Sequence, residues 1–316
     1  MNSIICTLFE KHYHFGLAGL VNSLERNNFK GDIYAGYKGS LPPWASNVKE
    51  NPTLKWEGSS TLSLSDDVRL HFLPIKNNFH LTNYKPYFML ELFQTSGINA
   101  DSVTYFDPDI IVKCNWTFFE TWMTHGVGLV HEIISNDMPG SHPIRFEWKK
   151  VIKMANKVTI RDLRSYINGG FCAVTRANIE FLNTWCDITN TAMQHFGLTA
   201  DQWSHSYDRT YMFYAQDQDT LNIAAMCSQS PISEMGPEAM DFVHGGFTMS
   251  HAVGSPKPWK KKYISSALRG VGPSLTDRAY WLYANSTIKA HSYFEIRSKL
   301  LAMKVAAFIG RFNKRT

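Results

Sequence analysis

Three side chains in this sequence, two carboxylates and one imidazole, have the types needed to hold a divalent cation. Asp107 and Asp109 follow an apolar stretch that reads as a strand, and His251 comes far downstream. Two hard oxygen ligands together with an imidazole suit Mn2+ or Mg2+, and Lys257, close behind the histidine, suits a phosphate. Together these residues predict a metal–diphosphate site, and therefore an enzyme that acts on a nucleotide-activated substrate.

The two aspartates flank Pro108. Side chains one residue apart on a strand share a face, and the rigid proline fixes their divergence. In the functional interpretation they bind a cation that bridges the two phosphates of a nucleotide-sugar. The alternative is a polar turn that closes the strand, because so short a pattern also occurs by chance.

The histidine begins a nine-residue pattern, His251-x-x-Gly254-x-x-Lys257-Pro-Trp259. Gly254 permits a tight backbone turn, Lys257 can reach a phosphate, and Trp259 is expected to pack beneath the loop without a chemical role. A lone histidine is more often hydrogen-bonded inside a core. The pattern around this one is far more specific than the aspartate pair, and it favours a functional site.

Two polar segments are candidates for contacting a sugar. Asn168 precedes Gly169 and Gly170, which bring the backbone close to a ligand or to another strand; its carboxamide can bind a sugar hydroxyl or cap the turn. Asp217 and Gln218 open a predicted helix. They would recognise sugar hydroxyls and stabilise positive charge at an anomeric carbon, or they would be ordinary polar residues at a helix N-terminus.

Three further residues have weaker functional interpretations, and each has a structural one beside it. Thr7 is assigned to the end of the first strand, Tyr13 offers an aromatic ring for base stacking, and Lys85 offers a cation.

The elements that would position these residues follow from hydrophobic periodicity. A strand at 4–8, a helix at 15–27 and a strand from Gly31 form a βαβ unit, which indicates an α/β fold with a mixed sheet. A helix is predicted at 87–94, with Pro86 in its first turn. Residues 133–165 show no clear pattern. The remaining predictions are strands at 103–112, 126–131, 166–174, 241–244 and 249–253, and helices at 176–196 and from Gln216.

Composition narrows the protein class. The chain has 316 residues, of which 44% are hydrophobic and 19% charged, as in a globular protein. Its five scattered cysteines lack a C-x-x-C spacing, which favours reduced thiols in a cytosol over a disulfide framework or a zinc ribbon. The N-terminus lacks the features of a signal peptide, and no long apolar run predicts a spanning helix. A soluble or surface-bound cytoplasmic protein is expected.

The C-terminal part of the chain is basic. After Lys257 its acidic residues are only Asp277 and Glu295, and the whole chain has a formal net charge of +5. On a helix spanning about 287–312, three basic residues would lie beside an apolar strip, as in a helix at an anionic membrane interface. The alternative is a terminal helix docked on its own domain. The basic residues are Arg297, Lys304 and Arg311, and the strip is Leu301, Val305, Ile309 and Phe312.

These motifs together resemble those of the GT-A glycosyltransferases of family 8 type, which include bacterial lipopolysaccharide galactosyl- and glucosyltransferases and glycogenin. The resemblance covers roughly residues 1–262 and rests on four segments in the family's order, 105–109, 168–170, 217–222 and 251–259. It implies a single GT-A (Rossmann-like) domain with a mixed central sheet at 1–285, and a basic amphipathic helix would follow at 286–316.

The resemblance also implies roles for individual residues. Asp107, Asp109 and His251 would be the Mn2+ ligands, and Lys257 with Gly254 would hold the diphosphate. Lys85 would bind the donor, through a phosphate or the sugar, where the family usually has an arginine, and it lacks arginine's planar fork. The other donor-binding and sugar-facing residues would be Thr7 and Tyr13 beside the uridine, Gly169, and Asn168, Asp217 and Gln218 at the sugar.

The function expected is transfer of a hexose from a UDP-sugar to a hydroxyl of a cell-surface glycan or glycolipid, such as lipopolysaccharide or capsule, with retention of configuration. The expected partners are the donor, the acceptor and an anionic membrane surface on the inner face of the cytoplasmic membrane, but no nucleic acid. Two alternatives stay open. A non-catalytic nucleic-acid-binding protein would explain the basic tail and aromatics. A sugar nucleotidyltransferase would share the metal chemistry but would normally carry a glycine-rich phosphate loop, which residues 4–19 lack.

Overall fold

The computed structural model describes residues 1–133, 137–202, 206, 208 and 210–312. Lys314 and Arg315 of the predicted basic tail, and part of the segment 133–165, therefore lie outside the described residues. The helices are α1 (His14–Arg26), α2 (Leu81–Gln94), α3 (Trp116–Met123), α4 (Pro143–Met154), α5 (Glu180–His195), α6 (Gln216–Cys227), α7 (Tyr263–Leu268), α8 (Leu275–Tyr283) and α9 (Tyr293–Ile309). The strands are β1 (Ser3–Glu10), β2 (Gly31–Lys38), β3 (Lys49–Glu50), β4 (Ser60–Ser63), β5 (Val68–Pro74), β6 (Ser102–Phe106), β7 (Ile110–Val112), β8 (Val127–Val130), β9 (Phe171–Thr175), β10 (Ile232–Met235) and β11 (Met249–His251).

Nine of these strands form one mixed sheet in the order β10-β8-β9-β6-β1-β2-β5-β4-β3. The pairs β1–β2, β2–β5 and β1–β6 are parallel, whereas β6–β9 and β4–β5 are antiparallel. The predicted βαβ opening and mixed α/β sheet are confirmed. Because β6 ends at Phe106 opposite Phe171, where β9 begins, the residues just after β6 and just before β9 meet at one sheet edge.

The sheet is covered on both faces. Alternate residues of β1 point to opposite sides, as the period of two requires. Ile4, Cys6 and Leu8 belong to the hydrophobic cluster under α2, α5 and α6, whereas Ile5 and Phe9 belong to the cluster under α1 and α3. The site-bearing edge therefore rests on a strand buried on both faces.

A second, two-stranded sheet pairs β7 with β11 in antiparallel register. It sets His251 opposite Ile110 and Met249 opposite Val112. This pairing joins two segments that are distant in sequence, and it carries His251 to the end of β6.

The C-terminal helices form a third cluster. Ser292 caps α9, since its hydroxyl accepts the N–H of Glu295. One face of α9 is buried against α7 and α8 through Ile296, Met303 and Ala306. Among the described residues, no helix has the length and apolar character needed to cross a bilayer.

Several local predictions were wrong. The segment 103–112 is not one strand: β6 stops at Phe106, and β7 starts at Ile110 in the other sheet. The chain turns between them, with the Ile110 N–H donating to the Asp107 carbonyl at 3.1 Å, and Pro108 within the turn has no N–H to offer a ladder. The aspartates therefore occupy a turn and not one face of a strand.

The helix predicted at 87–94 begins six residues earlier. His80 caps α2 by accepting the N–H of Thr82, and buried Leu81 and Tyr84 extend the helix toward the core. Pro86 is consequently inside the helix and not in its first turn. Core burial outweighs the hydrogen bond that a proline forfeits there.

Two strand predictions were also wrong, one in the existence of the strand and one in its extent. Residues 241–244 form no strand: Asp241 has the left-handed backbone angle φ +57°, and the partner of β11 is β7. The strand predicted at 166–174 starts only at Phe171, and in the preceding segment only Ile167 makes a single bridge, to His131. The unplaced stretch 133–165 contains α4.

Candidate metal centre and active site

Asp107, Asp109 and His251 come together at the end of β6. Nε2 of His251 lies 3.4 Å from Oδ1 of Asp109 and 3.7 Å from Oδ2 of Asp107. One ligand atom from each residue lies within 4.8 Å of the others. Two carboxylates and an imidazole at this separation can surround one divalent cation, so the donor set fits Mn2+ or Mg2+.

Asp109 is the most buried of the two carboxylates, with a side chain only 4% exposed. Burial alone would raise its pKa, but the charges of Lys257 and His251 outweigh burial and hold the pKa below its usual range. The carboxylate is therefore ionised and already neutralised by a protein cation. A divalent ion that took the place of Lys257 would therefore meet an ionised carboxylate, the form that binds such ions.

Lys257 supplies this neutralising charge. Its Nζ lies 2.5 Å from Oδ2 of Asp109 and donates to the carbonyl of Ala252 at 2.8 Å. Burial lowers the pKa of Lys257, but Asp109 raises it by more, so the ammonium stays charged. Gly254, in the loop between His251 and Lys257, has φ +76° and open space beside it. This left-handed backbone lets the chain turn back toward the aspartates.

The glycine turn before β9 closes the other side of the metal centre. The Gly170 carbonyl accepts the N–H of Asp107 at 2.7 Å. A Cβ on Gly170 would lie 2.4 Å from Cε1 of His251, so only glycine leaves room for the imidazole. The Nδ1 atom of His251 is buried and has no hydrogen-bond partner among the described residues.

The residues predicted to face the sugar lie beside this turn. Asp217 and Gln218 stand in the first turn of α6. The Gln218 Oε1 accepts the N–H of Gly169 at 2.8 Å and the Asn168 amide at 2.9 Å. The Asn168 Oδ1 in turn accepts the N–H of Gly170 at 2.8 Å. The structure thus links the two predicted segments directly.

Glu132 belongs to the same network, although the sequence did not single it out. It is 7% exposed, and its Oε2 accepts the Asn168 amide at 2.6 Å. Its place after β8, one of the strands ending at this sheet edge, was the available signal. A single acidic residue after a short strand is too common a pattern to act on.

Lys85 connects the metal centre to Asp217. It is 2% exposed and forms ion pairs with Asp107 at 3.1 Å and Asp217 at 2.9 Å. Burial lowers its pKa, but the two carboxylates raise it by more, to above its ordinary value. Tyr105, below it, donates its hydroxyl to Asp107 at 2.8 Å.

Tyr13 and Thr7, the two residues predicted to lie beside the nucleoside, have different environments in the structure. Tyr13 borders the metal centre, with its ring centroid 5.6 Å from Nζ of Lys257. Thr7 is inside β1 and not at its end; it is fully buried, and its Oγ1 has no partner among the described residues. Trp259 packs against Tyr280 and donates to His12, as expected of a supporting residue.

Solved structures similar to this one are glycosyltransferases. The apo bifunctional glycosyltransferase WbbM matches with a TM-score of 0.56 at 15% identity, over 94% of this chain and 51% of its own. An active-site mutant of LgtC matches with a TM-score of 0.53 at 15% identity, over 94% and 99%. GlyE of Streptococcus pneumoniae TIGR4 matches with a TM-score of 0.50 at 15% identity, over 96% and 64%.

The chain spans about half of WbbM and nearly all of LgtC. No protein-family model and no curated protein matches the sequence. At identities this low the likeness establishes the fold, and the GT-A fold implied by the motifs is confirmed.

Proposed function

We propose that this chain is a metal-dependent retaining glycosyltransferase that moves a hexose from a UDP-sugar to a hydroxyl of a cell-surface glycan or glycolipid. The GT-A fold supports an enzyme of this class. The observation that carries the proposal is the convergence of Asp107, Asp109 and His251, from two distant parts of the chain, within 4.8 Å. Scattered polar surface residues would not produce such a donor set beside a buried lysine.

A bound Mn2+ or Mg2+ would stabilise the negative charge that grows on the departing diphosphate. Asp107, Asp109 and His251 would hold it. Lys257 would move its ammonium from Asp109 to the diphosphate, and the open backbone at Gly254 would admit the phosphate oxygens. Tyr13, beside Lys257, would stack near the uridine, and Thr7 would support that end of the site from within β1.

The sugar would lie against Asn168, Gly169 and the first turn of α6. Asp217 would stabilise positive charge at the anomeric carbon, and Gln218 would support the sugar from the same turn. Front-face attack would need no dedicated protein base, because a phosphate oxygen of the leaving group can accept the acceptor's proton. A covalent intermediate on Asp217 is the less favoured variant.

We further propose that residues 1–285 form the catalytic domain and that 286–316 place it on the inner face of the cytoplasmic membrane. The docked face of α9 leaves its other faces apolar and basic: Phe294 is 80% exposed and Leu301 63%. Arg297, Lys304 and Arg311 are exposed on the same helix or just after it. A surface of this composition suits anionic lipid headgroups.

Binding of the donor is tested by thermal shift with nucleoside diphosphates and their sugars, with and without Mn2+. One UDP-sugar is expected to stabilise the protein, and only with the metal. Asp109→Asn should fold normally and lose both the metal-dependent shift and turnover, whereas Asp66→Asn, at an exposed position, should behave as the wild type. Full activity in Asp109→Asn, or salt-sensitive nucleic-acid binding with indifference to UDP and Mn2+, would refute the proposal.

The membrane contact is tested separately by sedimentation with vesicles of phosphatidylcholine alone or mixed with phosphatidylglycerol. Binding is expected only to the anionic vesicles and should fall when Arg297, Lys304 and Arg311 are all changed to Gln. A matched control changes exposed Lys49, Lys55 and Lys76 to Gln instead. Equal binding by both triple variants would exclude α9 as the contact.

A further inference from the structure

Lys85 is a buried ammonium held by three acceptors, all of them belonging to the protein. Its Nζ lies 3.1 Å from Oδ1 of Asp107, 2.9 Å from Oδ2 of Asp217 and 2.9 Å from the carbonyl oxygen of Gly169. An ammonium group has three N–H donors. Two of them donate to Asp217 and Gly169, and the ion pair with Asp107 completes the set, so the polar partners of Lys85 all come from the protein.

Because of these contacts, the two oxygens of each carboxylate, in Asp107 and in Asp217, have different environments. In Asp107, Oδ1 forms the ion pair with Lys85 and accepts the Tyr105 hydroxyl, while Oδ2 faces His251. In Asp217, Oδ2 accepts from Lys85, and no described residue makes a hydrogen bond to Oδ1. One oxygen of each carboxylate is thus fixed by the protein, and the other is left for the metal or the sugar.

The stem of Lys85 is well placed to hold this geometry. It belongs to α2, whose buried residues on either side, Tyr84 and Phe88, pack into the main hydrophobic cluster. Burying an ammonium and two carboxylates is costly unless each charge is paired. If α2 had only a structural role, an apolar residue could occupy position 85. The buried lysine is best explained by its effect on Asp107 and Asp217, whose carboxylates it holds in place.

We propose that Lys85 is a positioning residue, which fixes the Asp217 carboxylate beside the metal ligand Asp107 and does not itself touch the substrate. This inference rests on the proposed function, and it replaces the direct donor contact that the family resemblance implied for Lys85. Its action on the reaction passes through Asp217.

The first test is Lys85→Met, which keeps an unbranched side chain of nearly the same length and removes the ammonium group and its charge. In the presence of Mn2+, the affinity for UDP should stay within about threefold of the wild-type value. The KM for the UDP-sugar should stay within the same range. The kcat value should fall about 100-fold, because an oxygen that acts only in the transition state is misplaced. Weakened UDP binding with an unchanged kcat would overturn the inference, as would full activity. Lys76→Met, an exposed lysine paired with Glu57, is the control and should leave all three quantities unchanged.

The second test compares Asp217→Asn with the double variant Lys85→Met/Asp217→Asn. The double variant removes the Asp217 carboxylate that Lys85→Met would leave unpaired. It can therefore test the inference even if Lys85→Met alone does not fold. If Lys85 acts through Asp217, the double variant should lose no more kcat than Asp217→Asn alone. A further loss of about 100-fold would show that Lys85 acts independently. Failure of the proposed function itself would appear in the wild type, as an absence of metal-dependent UDP-sugar binding.

Discussion

The imidazole of His251 occupies the space that a side chain on residue 170 would fill. A Cβ on Gly170 would lie 2.4 Å from Cε1 and 2.8 Å from Nδ1 of that ring. Since real Cβ atoms do not approach so closely, the glycine turn before β9 and the histidine of β11 are mutually dependent. The position of the proposed metal ligand is therefore set partly by the absence of a side chain elsewhere.

Gly170→Ala should accordingly displace His251 from Asp107 and Asp109. We expect Mn2+ affinity, measured by calorimetry, to fall by about 10- to 100-fold, the range seen when residues that orient a metal ligand are changed. Gly272→Ala is the control, because a Cβ there meets no atom within 4 Å and the backbone angle is ordinary. Unaltered Mn2+ binding in Gly170→Ala would mean that His251 is not a ligand.

Gln218 should contribute to stability as well as to the site, because its Oε1 accepts from both Gly169 and Asn168. Gln218→Met leaves these two donors short of an acceptor in a mostly buried place, and it should lower the free energy of unfolding by about 1–3 kcal/mol. Gln218→Glu keeps an acceptor oxygen, so its loss should be smaller. Urea denaturation measures both values.

The control for this pair is Gln229→Met, since Gln229 is exposed and follows α6. Its effect should stay within about 0.5 kcal/mol. Equal stability of Gln218→Met and Gln229→Met would show that the amide network contributes nothing to folding.

Much of this architecture was readable from local patterns. The alternation in β1 and the spaced apolar residues of α1 are set by neighbours in sequence, so the βαβ opening was predicted correctly. Asp107, Asp109 and His251, which the structure brings together, were singled out because the nine-residue pattern starting at His251 is long and because the two aspartates are close in sequence. The residue types of the candidate site could be recognised from the sequence, although their arrangement in space could not.

The parts that sequence reasoning missed depend on contacts between distant segments. The pairing of β7 with β11 brings His251 next to the aspartates, and no local periodicity encodes it. Pro86 was assigned to a first turn because that is its usual place, whereas burial of Leu81 started the helix earlier. Glu132 carries no motif at all. Each miss is a tertiary contact that outweighed a local preference.

Lys257 and a divalent ion should compete for Asp109, whose Oδ2 atom now receives the ammonium at 2.5 Å. In Lys257→Met the carboxylate is no longer shared, so Mn2+ alone should bind about tenfold more tightly, a coupling of ordinary size. UDP, measured at saturating Mn2+, should bind more weakly because the diphosphate has lost a cation. Calorimetry of the two titrations separates the opposite effects.

Lys113→Met is the matched control, because Lys113 is a partly buried lysine that pairs with Asp241, outside the metal centre. Weaker binding of Mn2+ alone in Lys257→Met would contradict the competition, since the lysine would then be supporting the ion and not standing in for it.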